Sequence, residues 1–344
     1  MRDTTVSILI VNYNGKAFLS TCLNSALAQT YPISEILVID NHSTDGSYEQ
    51  AVREYASRIH IVRSESDLGY PGALNKAAGM CKGQYIVFLN DDAALHPKAI
   101  EELVNAASAY RRFDFFQPKI LLADTPDIIN STGILIHYCG FGSLDEGGKR
   151  ASQSNAVREI SGVHGACFMS RADAFREVGS FDSSFFAFYE DTDLSWRALL
   201  RGKRIIYVPS ALVYHKWGQA WGTLSSAKIR LAERNRLMML LTNYDRGTLL
   251  LLFPLIVFTE VGEFVWLTRH HMTRAKILGY ADLICLRTHL RSRRRMIKAM
   301  RRESDLALLR RFTSQLNQVR LGGPWLSPIR YIYRLFEIVV IRHL

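Results

Sequence analysis

Two adjacent carboxylates follow a run of apolar residues that fits a buried strand. The stretch Tyr85 to Ala93 places Asn90, Asp91 and Asp92 directly after that run. Acids held this close raise each other's pKa or bind a cation, and Mg²⁺ or Mn²⁺ bridging a substrate diphosphate is the usual solution for oxygen ligands. The alternative is that these acids cap a helix that begins near Pro97.

A second acidic group, Glu190 and Asp191, lies at the start of an apparent helix and follows an aromatic stretch, Phe185 to Tyr189. In that position the acids can cap the helix with the help of its dipole. Alternatively, one of them is a general base whose pKa is raised toward neutrality by the apolar surroundings. The sequence leaves both interpretations open.

A histidine, His215, ends an apolar segment that predicts two strands, Arg204 to His215. A lone histidine is more often a packing residue than a ligand. Its place at a strand end, in a chain that already offers an acid pair for a metal, keeps the ligand interpretation open.

Short β-rich segments alternate with helical patterns of 10 to 15 residues along the first third of the chain. Strands are predicted at Val6–Val11, Glu35–Asp40, Ile59–Ser64 and from Tyr85, with helices over Lys16–Gln29, from Gly46 to about Ser57, and up to Met80. This order predicts an α/β fold, Rossmann-like, with a mostly parallel sheet and helices on both faces.

Ligands of such sheets bind outside the carboxyl ends of the strands, where this chain carries Asn12, Asp40 and Asn90. Neither a P-loop nor a GxGxxG sequence follows the first strand, so an ATPase and a dinucleotide enzyme are both disfavoured. A further strand is predicted at Phe113–Ile120. The irregular stretch after it, Leu121 to Ile160, is typical of a substrate loop region.

The net positive charge of the chain comes from its last third. Residues 1–223 carry 21 Lys and Arg against 24 Asp and Glu, whereas residues 224–344 carry 22 against 8. An anionic partner for the C-terminal region is therefore expected, either a nucleic acid or an acidic membrane surface. The basic stretch Leu286–Arg302 lacks interleaved aromatic residues for stacking, which disfavours nucleic acid.

Two C-terminal segments suggest a membrane surface. The uncharged run Gly247–Thr259 is shorter than a spanning helix and is followed by acids, which favours an interfacial or re-entrant element over a buried hairpin. In Leu286–Arg302, basic residues recur on one helix face beside an apolar stripe, which predicts contact with anionic lipids. Aromatic residues of the kind found at membrane interfaces follow: Trp325, Tyr331, Tyr333 and Phe336.

The five cysteines are widely spaced and include no CxxC pair. We expect them to be buried thiols in a reducing compartment. The N-terminal hydrophobic run is six residues long and is interpreted as a first strand rather than a signal peptide.

Seven motifs, in order, resemble those of a family 2 inverting glycosyltransferase of the GT-A fold, in the branch that includes bacterial rhamnosyltransferases. They lie within residues 5 to 240 and are SILIVNYNG, EILVIDNHSTDGS, DLGYPGALNKA, YIVFLNDD, SGVHGACFMSRADAFREVGSFD, FAFYEDTDLSWR and VPSALVYH. The resemblance implies a catalytic domain over residues 1–240, with a nucleotide-sugar half (1–120) and an acceptor half (121–240). Residues 241–344 would be a basic, helical membrane-associating region.

The resemblance also implies roles for individual residues. Asp40 would pair with a pyrimidine base, with Asn12 and Asn14 in the same pocket. Asn90, Asp91 and Asp92 occupy the position of the family's DxD motif, where Asp92 would bind Mg²⁺ or Mn²⁺, Asn90 would face the ribose, and Asp91 would belong to the donor site. His215 would lie near the metal. The Glu190–Asp191 pair matches the family's ED motif, in which Asp191 would be the catalytic base.

The implied reaction moves a sugar from a nucleoside diphosphate, dTDP-rhamnose or a UDP-hexose, to a hydroxyl of a glycan acceptor linked to polyprenyl diphosphate. The C-terminal features predict a location on the cytoplasmic face of the cell membrane, as a peripheral or monotopic protein. The rival with the same chemistry is a polyprenyl-phosphate sugar synthase. A processive synthase is disfavoured because GQAW, the nearest match to QxxRW, lacks the arginine. A membrane- or nucleic-acid-binding module without catalysis is the alternative from another class.

Overall fold

The computed structural model describes residues 4–216, 225–315 and 326–339. Its strands are β1 Val6–Asn12, β2 Glu35–Asp40, β3 His60–Arg63, β4 Tyr85–Asn90, β5 Ala93–Leu95, β6 Phe115–Leu122, β7 Thr125–Ser131, β8 Ile134–Ile136, β9 Gly142–Leu144, β10 Arg158–Glu159, β11 Cys167–Arg171 and β12 Ile205–His215. The GQAW segment (218–221) and Trp325 lie outside the described residues.

Twelve helices accompany these strands in the described part of the chain. They are α1 Leu19–Leu27, α2 Ser47–Tyr55, α3 Gly69–Met80, α4 Ala99–Ala109, α5 Ala172–Glu177, α6 Glu190–Leu200, α7 Ser226–Asn243, α8 Arg246–Arg269, α9 Thr273–Cys285, α10 Arg287–Met300, α11 Asp305–Leu309 and α12 Leu326–Val339.

The main sheet has the order β10-β12-β6-β11-β4-β1-β2-β3, with β5 and β7 paired at β12 and β6. Strands β1 to β4 pair in parallel, as do β6 and β12. The predicted mostly parallel sheet is confirmed, and β11 is an antiparallel strand inserted between β4 and β6. The segment predicted as two strands is the single strand β12, which has an irregularity between Val208 and Leu212.

Both faces of the sheet are covered. Along β4, Ile86 and Phe88 belong to one hydrophobic core, whereas Val87 and Leu89 belong to the core on the opposite face. This alternation follows from the period of two in a strand, and it explains why the segment contains no polar residue before Asn90.

The C-terminal helices share the first of these cores. Buried residues of α8 and α10, including Leu252 and Ile297, belong to the same cluster as Phe88 of the sheet. Residue 240 lies inside α7, so the division of the chain at 240 stays a prediction.

The run Gly247–Thr259 is neither a hairpin nor a short separate element, and its position at a membrane interface stays a prediction. The run is part of α8, one continuous helix of 24 residues with Pro254 inside it. The acids that seemed to end it, Glu260 and Glu263, face inward and pair with Arg236 and Lys276. By length and composition, α8 is the one described helix that could cross a membrane.

The apolar stripe predicted for α10 does not face outward. Leu283 and Ile297 are buried, and Leu286, Leu290 and Met300 pack against the same core. Among the aromatic residues expected at a membrane interface, Tyr331 is 68% exposed but Tyr333 is buried and hydrogen-bonds Thr259 at 2.6 Å. Large apolar residues are exposed instead along α8.

The cysteine prediction holds for four residues and fails for one. Cys22, Cys81, Cys139 and Cys167 are buried free thiols, whereas Cys285 is exposed. Cys285 is the last residue of α9, and the residue before it, Ile284, is exposed as well.

Candidate active site

A cavity of about 390 Å³ opens at the carboxyl ends of β1 and β4, and we call it the main cavity. The β1–β4 pairing brings Val11 beside Asn90, so the acids after β4 lie next to the loop after β1. Six of the predicted site residues line the main cavity: Asn90, Asp91, Asp92, Glu190, Asp191 and His215. The structure therefore brings together residues that are up to 125 positions apart in the sequence.

Asp92 and His215 are adjacent because β12 pairs with β5, where His215 is opposite Ala93. Nε2 of His215 lies 3.2 Å from Oδ1 of Asp92, and its Nδ1 lies 2.9 Å from Oδ1 of Asn130. Oδ1 of Asp92 is buried and has no hydrogen-bond partner among the described residues. A carboxylate oxygen and an imidazole nitrogen that face one another in this way fit a divalent cation such as Mn²⁺.

Asp91 lies on the other side of the strand end and is held by the loop after β1. Its Oδ2 accepts a hydrogen bond from the backbone N–H of Tyr13 at 3.3 Å. Burial, together with the neighbouring charge of Asp92, raises the pKa of Asp91 to about 7. A Cβ on Gly15 would lie 2.4 Å from Oδ2 of Asp91, so a larger residue there would displace this carboxylate.

Asp191 lies in the first turn of α6 and is fixed by backbone donors. Its Oδ2 accepts from the N–H of Gly165 at 2.9 Å, and its Oδ1 accepts from the N–H of Thr192 at 2.6 Å. Burial raises its pKa, while these hydrogen bonds favour the charged form and limit the rise.

Glu190, the neighbour of Asp191, is only partly satisfied by hydrogen bonds. Its Oε2 is buried without a hydrogen-bond partner in the described structure. Burial, and then the charge of Asp191, raise the pKa of Glu190 to about 8. Two adjacent acids in different surroundings therefore differ in protonation: we assign the charge of the pair to Asp191 and the proton to Glu190.

The third acid of this turn, Asp193, is structural. It is fully buried, lies 2.8 Å from Nε of Arg197, and also pairs with Arg293 of α10. Burial alone would raise its pKa, but the two guanidinium groups outweigh burial and lower it. Asp193 therefore anchors the C-terminal helices beside the site.

Three predicted residues do not line the main cavity. Asp40 is buried beneath it, where its Oδ1 accepts from the amide of Asn12 at 2.7 Å and its Oδ2 lies 3.4 Å from Nε of Arg63. Asn14 is exposed and accepts from the backbone N–H of Thr44 at 2.8 Å. Their contact with a pyrimidine base stays a prediction.

Other residues occupy the wall of the cavity near the ends of β1 and β2. Asn41 and Asp67 are joined at 2.7 Å, and both line the main cavity. The hydroxyl of Tyr70 donates to Oδ1 of Asn90 and lies 3.3 Å from the carbonyl of Gly165. Asp67 and Tyr70 both belong to the motif DLGYPGALNKA. The motif was recognised in the sequence, but no role was predicted for either residue.

A second cavity of about 330 Å³ adjoins the first. Both cavities are lined by Asp191, Glu190, His164, Phe188 and Lys228. The second cavity also contacts Ser143 of β9, Glu233 of α7 and Glu263 of α8. Asp191 thus lies between two spaces, one beside the Asp92–His215 pair and one beside the C-terminal helices.

His164 was not singled out from the sequence, although it lies within a quoted motif. Its ring centroid is 5.9 Å from that of His215. Burial, and then the proximity of His215, lower the pKa of His164 to about 3, so it is neutral at pH 7. A neutral imidazole at the boundary of the two cavities can both donate and accept hydrogen bonds.

Comparison with solved structures shows the same fold in a glycosyltransferase. GalNAc-T7, crystallised with UDP, GalNAc and Mn²⁺, matches with a TM-score of 0.60 at 20% identity, covering 71% of this chain and 49% of that chain. The α/β fold of this chain, with its mostly parallel sheet, is therefore GT-A-like. More narrowly, the chain belongs to glycosyl transferase family 2, whose family model matches residues 7–179.

Two curated relatives match a longer part of the chain than the family model does. An N-acetylglucosaminyl-diphospho-decaprenol L-rhamnosyltransferase of Mycobacterium tuberculosis is 28% identical over 238 residues, which are 62% of this chain and 77% of that protein. A poly-beta-1,6-N-acetyl-D-glucosamine synthase of Staphylococcus epidermidis is 26% identical over 269 residues, which are 76% of this chain and 62% of that protein.

Proposed function

We propose that this glycosyltransferase inverts the anomeric carbon of a pyrimidine nucleoside diphosphate-sugar and transfers the sugar to a hydroxyl of a lipid-linked glycan. The observation that carries the proposal is the position of Asp191 between the main cavity and the second cavity. A base in that position reaches an acceptor hydroxyl on one side and faces the donor sugar on the other.

Asp191 accepts the proton of the attacking hydroxyl as the new glycosidic bond forms. The bond between the anomeric carbon and the β-phosphate oxygen breaks, and its electron pair leaves with the nucleoside diphosphate. The hydrogen bonds from Gly165 and Thr192 hold the carboxylate in place before and after the proton moves. Attack from the side opposite the leaving group inverts the anomeric carbon in one displacement.

Asp92 and His215 are the residues that would hold a divalent cation, as the buried Oδ1 and the facing Nε2 indicate. Such a cation, when bound, neutralises charge on the departing diphosphate. Five acids line the main cavity: Asp67, Asp91, Asp92, Glu190 and Asp191. Because Glu190 is protonated at neutral pH, the cavity carries less negative charge than five ionised acids would give, which favours a polyanionic donor.

We place the acceptor in the second cavity and the protein on the cytoplasmic face of a membrane. The rhamnosyltransferase of Mycobacterium tuberculosis is named for an acceptor carried on decaprenyl diphosphate. Helix α8 supports a membrane-bound acceptor because it contacts the second cavity through Glu263 and exposes Phe264 beside it. Between dTDP-rhamnose and a UDP-hexose, the name of this relative favours dTDP-rhamnose.

The test is a donor and product analysis. UDP-glucose, UDP-N-acetylglucosamine and dTDP-rhamnose are each incubated with the protein, Mg²⁺ or Mn²⁺, and N-acetylglucosaminyl-diphospho-prenol. We expect nucleoside diphosphate release only with the cognate donor, and NMR of the product should show the inverted anomeric configuration. A product of retained configuration would overturn the single-displacement mechanism.

A further inference from the structure

A third cavity, of about 600 Å³, lies away from the site, where the start of α8 meets α10. We call it the basic cavity. Its lining contains one carboxylate, Asp245, and six cationic side chains: Arg246, Arg291, Arg294, Arg295, Lys298 and Arg301. None of its lining residues, all within the described part of the chain, lines either cavity that Asp191 shares.

Two of the six cations are already engaged by the protein. Arg301 lies 2.5 Å from Asp305 and 3.3 Å from Asp245. Asp245, the single carboxylate of the lining, is therefore paired with Arg301. Arg294 donates to the backbone carbonyl of Leu241.

The other four cations have no hydrogen bond or ion pair with any described residue. They are Arg246, Arg291, Arg295 and Lys298, and all are exposed to solvent at the cavity wall. Four unpaired positive charges around one concave space attract an anion, and guanidinium groups match the oxygens of a phosphate in pairs.

An exposed apolar face of α8 leads away from the basic cavity. Arg246 is the first residue of α8, and positions 4, 7, 11 and 18 beyond it lie on the same side of a helix with 3.6 residues per turn. These positions are Leu250, Phe253, Val257 and Phe264, which are 75%, 61%, 42% and 41% exposed. The cavity and this apolar face together match a molecule with an anionic head and a hydrocarbon tail.

We propose that the basic cavity binds the phosphate of a membrane phospholipid while its acyl chains lie along the exposed face of α8. This inference rests on the membrane location in the proposed function. It specifies which residues would contact the membrane. Two other occupants of the basic cavity fit less well. A free phosphate would leave the apolar face of α8 uncovered. The lipid-linked acceptor has to reach Asp191, which lines the other two cavities.

The test measures binding of the full chain to vesicles by co-sedimentation, with no donor or acceptor present. Vesicles of phosphatidylcholine with and without 30% phosphatidylglycerol are compared at fixed salt. For the triple variant Arg291→Gln, Arg295→Gln and Lys298→Gln, we expect binding to the phosphatidylglycerol vesicles to weaken on the order of 100-fold. The control Lys76→Gln, Lys98→Gln and Arg111→Gln removes the same charge from the catalytic domain and should bind nearly as the native protein does.

Two further measurements on one variant distinguish a phospholipid from free phosphate as the ligand of the basic cavity. The variant Phe253→Ser with Val257→Ser should lose vesicle binding but keep any thermal stabilisation by inorganic phosphate. If this variant binds vesicles as tightly as the native protein does, the site takes free phosphate and the proposal is overturned.

Equal losses in the two triple variants would show diffuse charge rather than a site and would also overturn the proposal. Failure of the native protein to bind either vesicle would overturn the membrane location as well. Because the assay involves no sugar transfer, it is independent of the proposed reaction.

Discussion

Oδ1 of Asp92 and Nε2 of His215 face each other at 3.2 Å across the end of the β5–β12 pair. Nδ1 of His215 lies 2.9 Å from Oδ1 of Asn130, and this contact orients the ring so that Nε2 is the nitrogen that faces Asp92. A carboxylate oxygen and an imidazole nitrogen this close together in a buried position can both contact one cation.

The first prediction concerns this cation site. In the native protein, Mn²⁺ with a saturating nucleoside diphosphate, at 100 times its Kd, should add about 2.7 kcal/mol to the free energy of unfolding. Asp92→Asn should remove the metal-dependent part of this gain, measured by thermal shift with and without EDTA. Asp124→Asn, an exposed acid that pairs with Lys216 on the surface, is the matched control and should keep it. Equal gains in both variants would argue against Asp92 as a ligand.

The second prediction concerns the pH dependence of stability. Burial raises the pKa of Glu190 to about 8 from an ordinary 4.5, so the native state keeps a proton that the unfolded chain releases. Stability contributed by this proton is present below about pH 4.5 and is lost as pH rises through 8. Glu190→Gln cannot titrate, so its melting temperature should exceed that of the native protein increasingly from pH 5 to pH 8. The control Glu65→Gln, at an exposed acid, should show the same dependence of melting temperature on pH as the native protein. If Glu190→Gln also showed the native dependence, Glu190 would already be ionised at pH 5 and the prediction would fail.

A third prediction concerns the ion pairs that connect α10 to the helix that carries Asp191. Arg293 is buried and pairs with both Asp182 and Asp193, two residues beyond Asp191. Arg293→Met would remove the guanidinium shared by the buried Asp193 and the half-buried Asp182, leaving Asp193 with Arg197 as its remaining ion pair, and should cost about 3 to 5 kcal/mol in urea unfolding. Arg287→Met, at an exposed position of the same helix, should change the free energy of unfolding by less than about 0.5 kcal/mol. Similar small effects for both would mean that the ion pairs contribute little.

A fourth prediction uses two glycines of α3. Gly69 has a φ of +68°, and a Cβ there would lie 2.6 Å from the carbonyl of Phe186, in the loop that lines the main cavity. Gly69→Ala should therefore destabilise by about 1 to 3 kcal/mol and weaken donor binding. At Gly79 a Cβ meets no atom within 4 Å, so Gly79→Ala should stabilise the helix by about 0.4 to 1 kcal/mol. Melting temperatures that shift in the same direction for both would contradict this assignment.

The sequence was sufficient to predict the sheet and the meeting of the acids at its edge. Strand ends follow from local apolar runs, and in a parallel sheet they converge, so Asp91, Asp92 and His215 could be placed near one another. Whether a side chain at a strand end lines the cavity or is buried beneath it could not be predicted. Asp40 ends a strand as Asn90 does, but its contacts with Asn12 and Arg63 hold it beneath the cavity wall.

The C-terminal region was harder to predict because its charges have partners that are distant in the sequence. The basic face predicted for α10 did not include Arg293, and its partners Asp182 and Asp193 lie about 100 or more positions away in the sequence. Glu260 and Glu263 suggested the end of an apolar segment, whereas Lys276 and Arg236 neutralise them inside the fold. Buried ion pairs of this kind leave no local signature in a sequence.

The most direct test of Asp191 as the base is a comparison of turnover and donor binding in Asp191→Asn. The substitution keeps the shape of the side chain but removes its capacity to accept the acceptor's proton. Turnover should fall by roughly 10²- to 10⁴-fold, while the Kd for the nucleotide-sugar, measured by calorimetry with Mn²⁺, stays within about 3-fold of the native value. Turnover near that of the native protein would contradict the account.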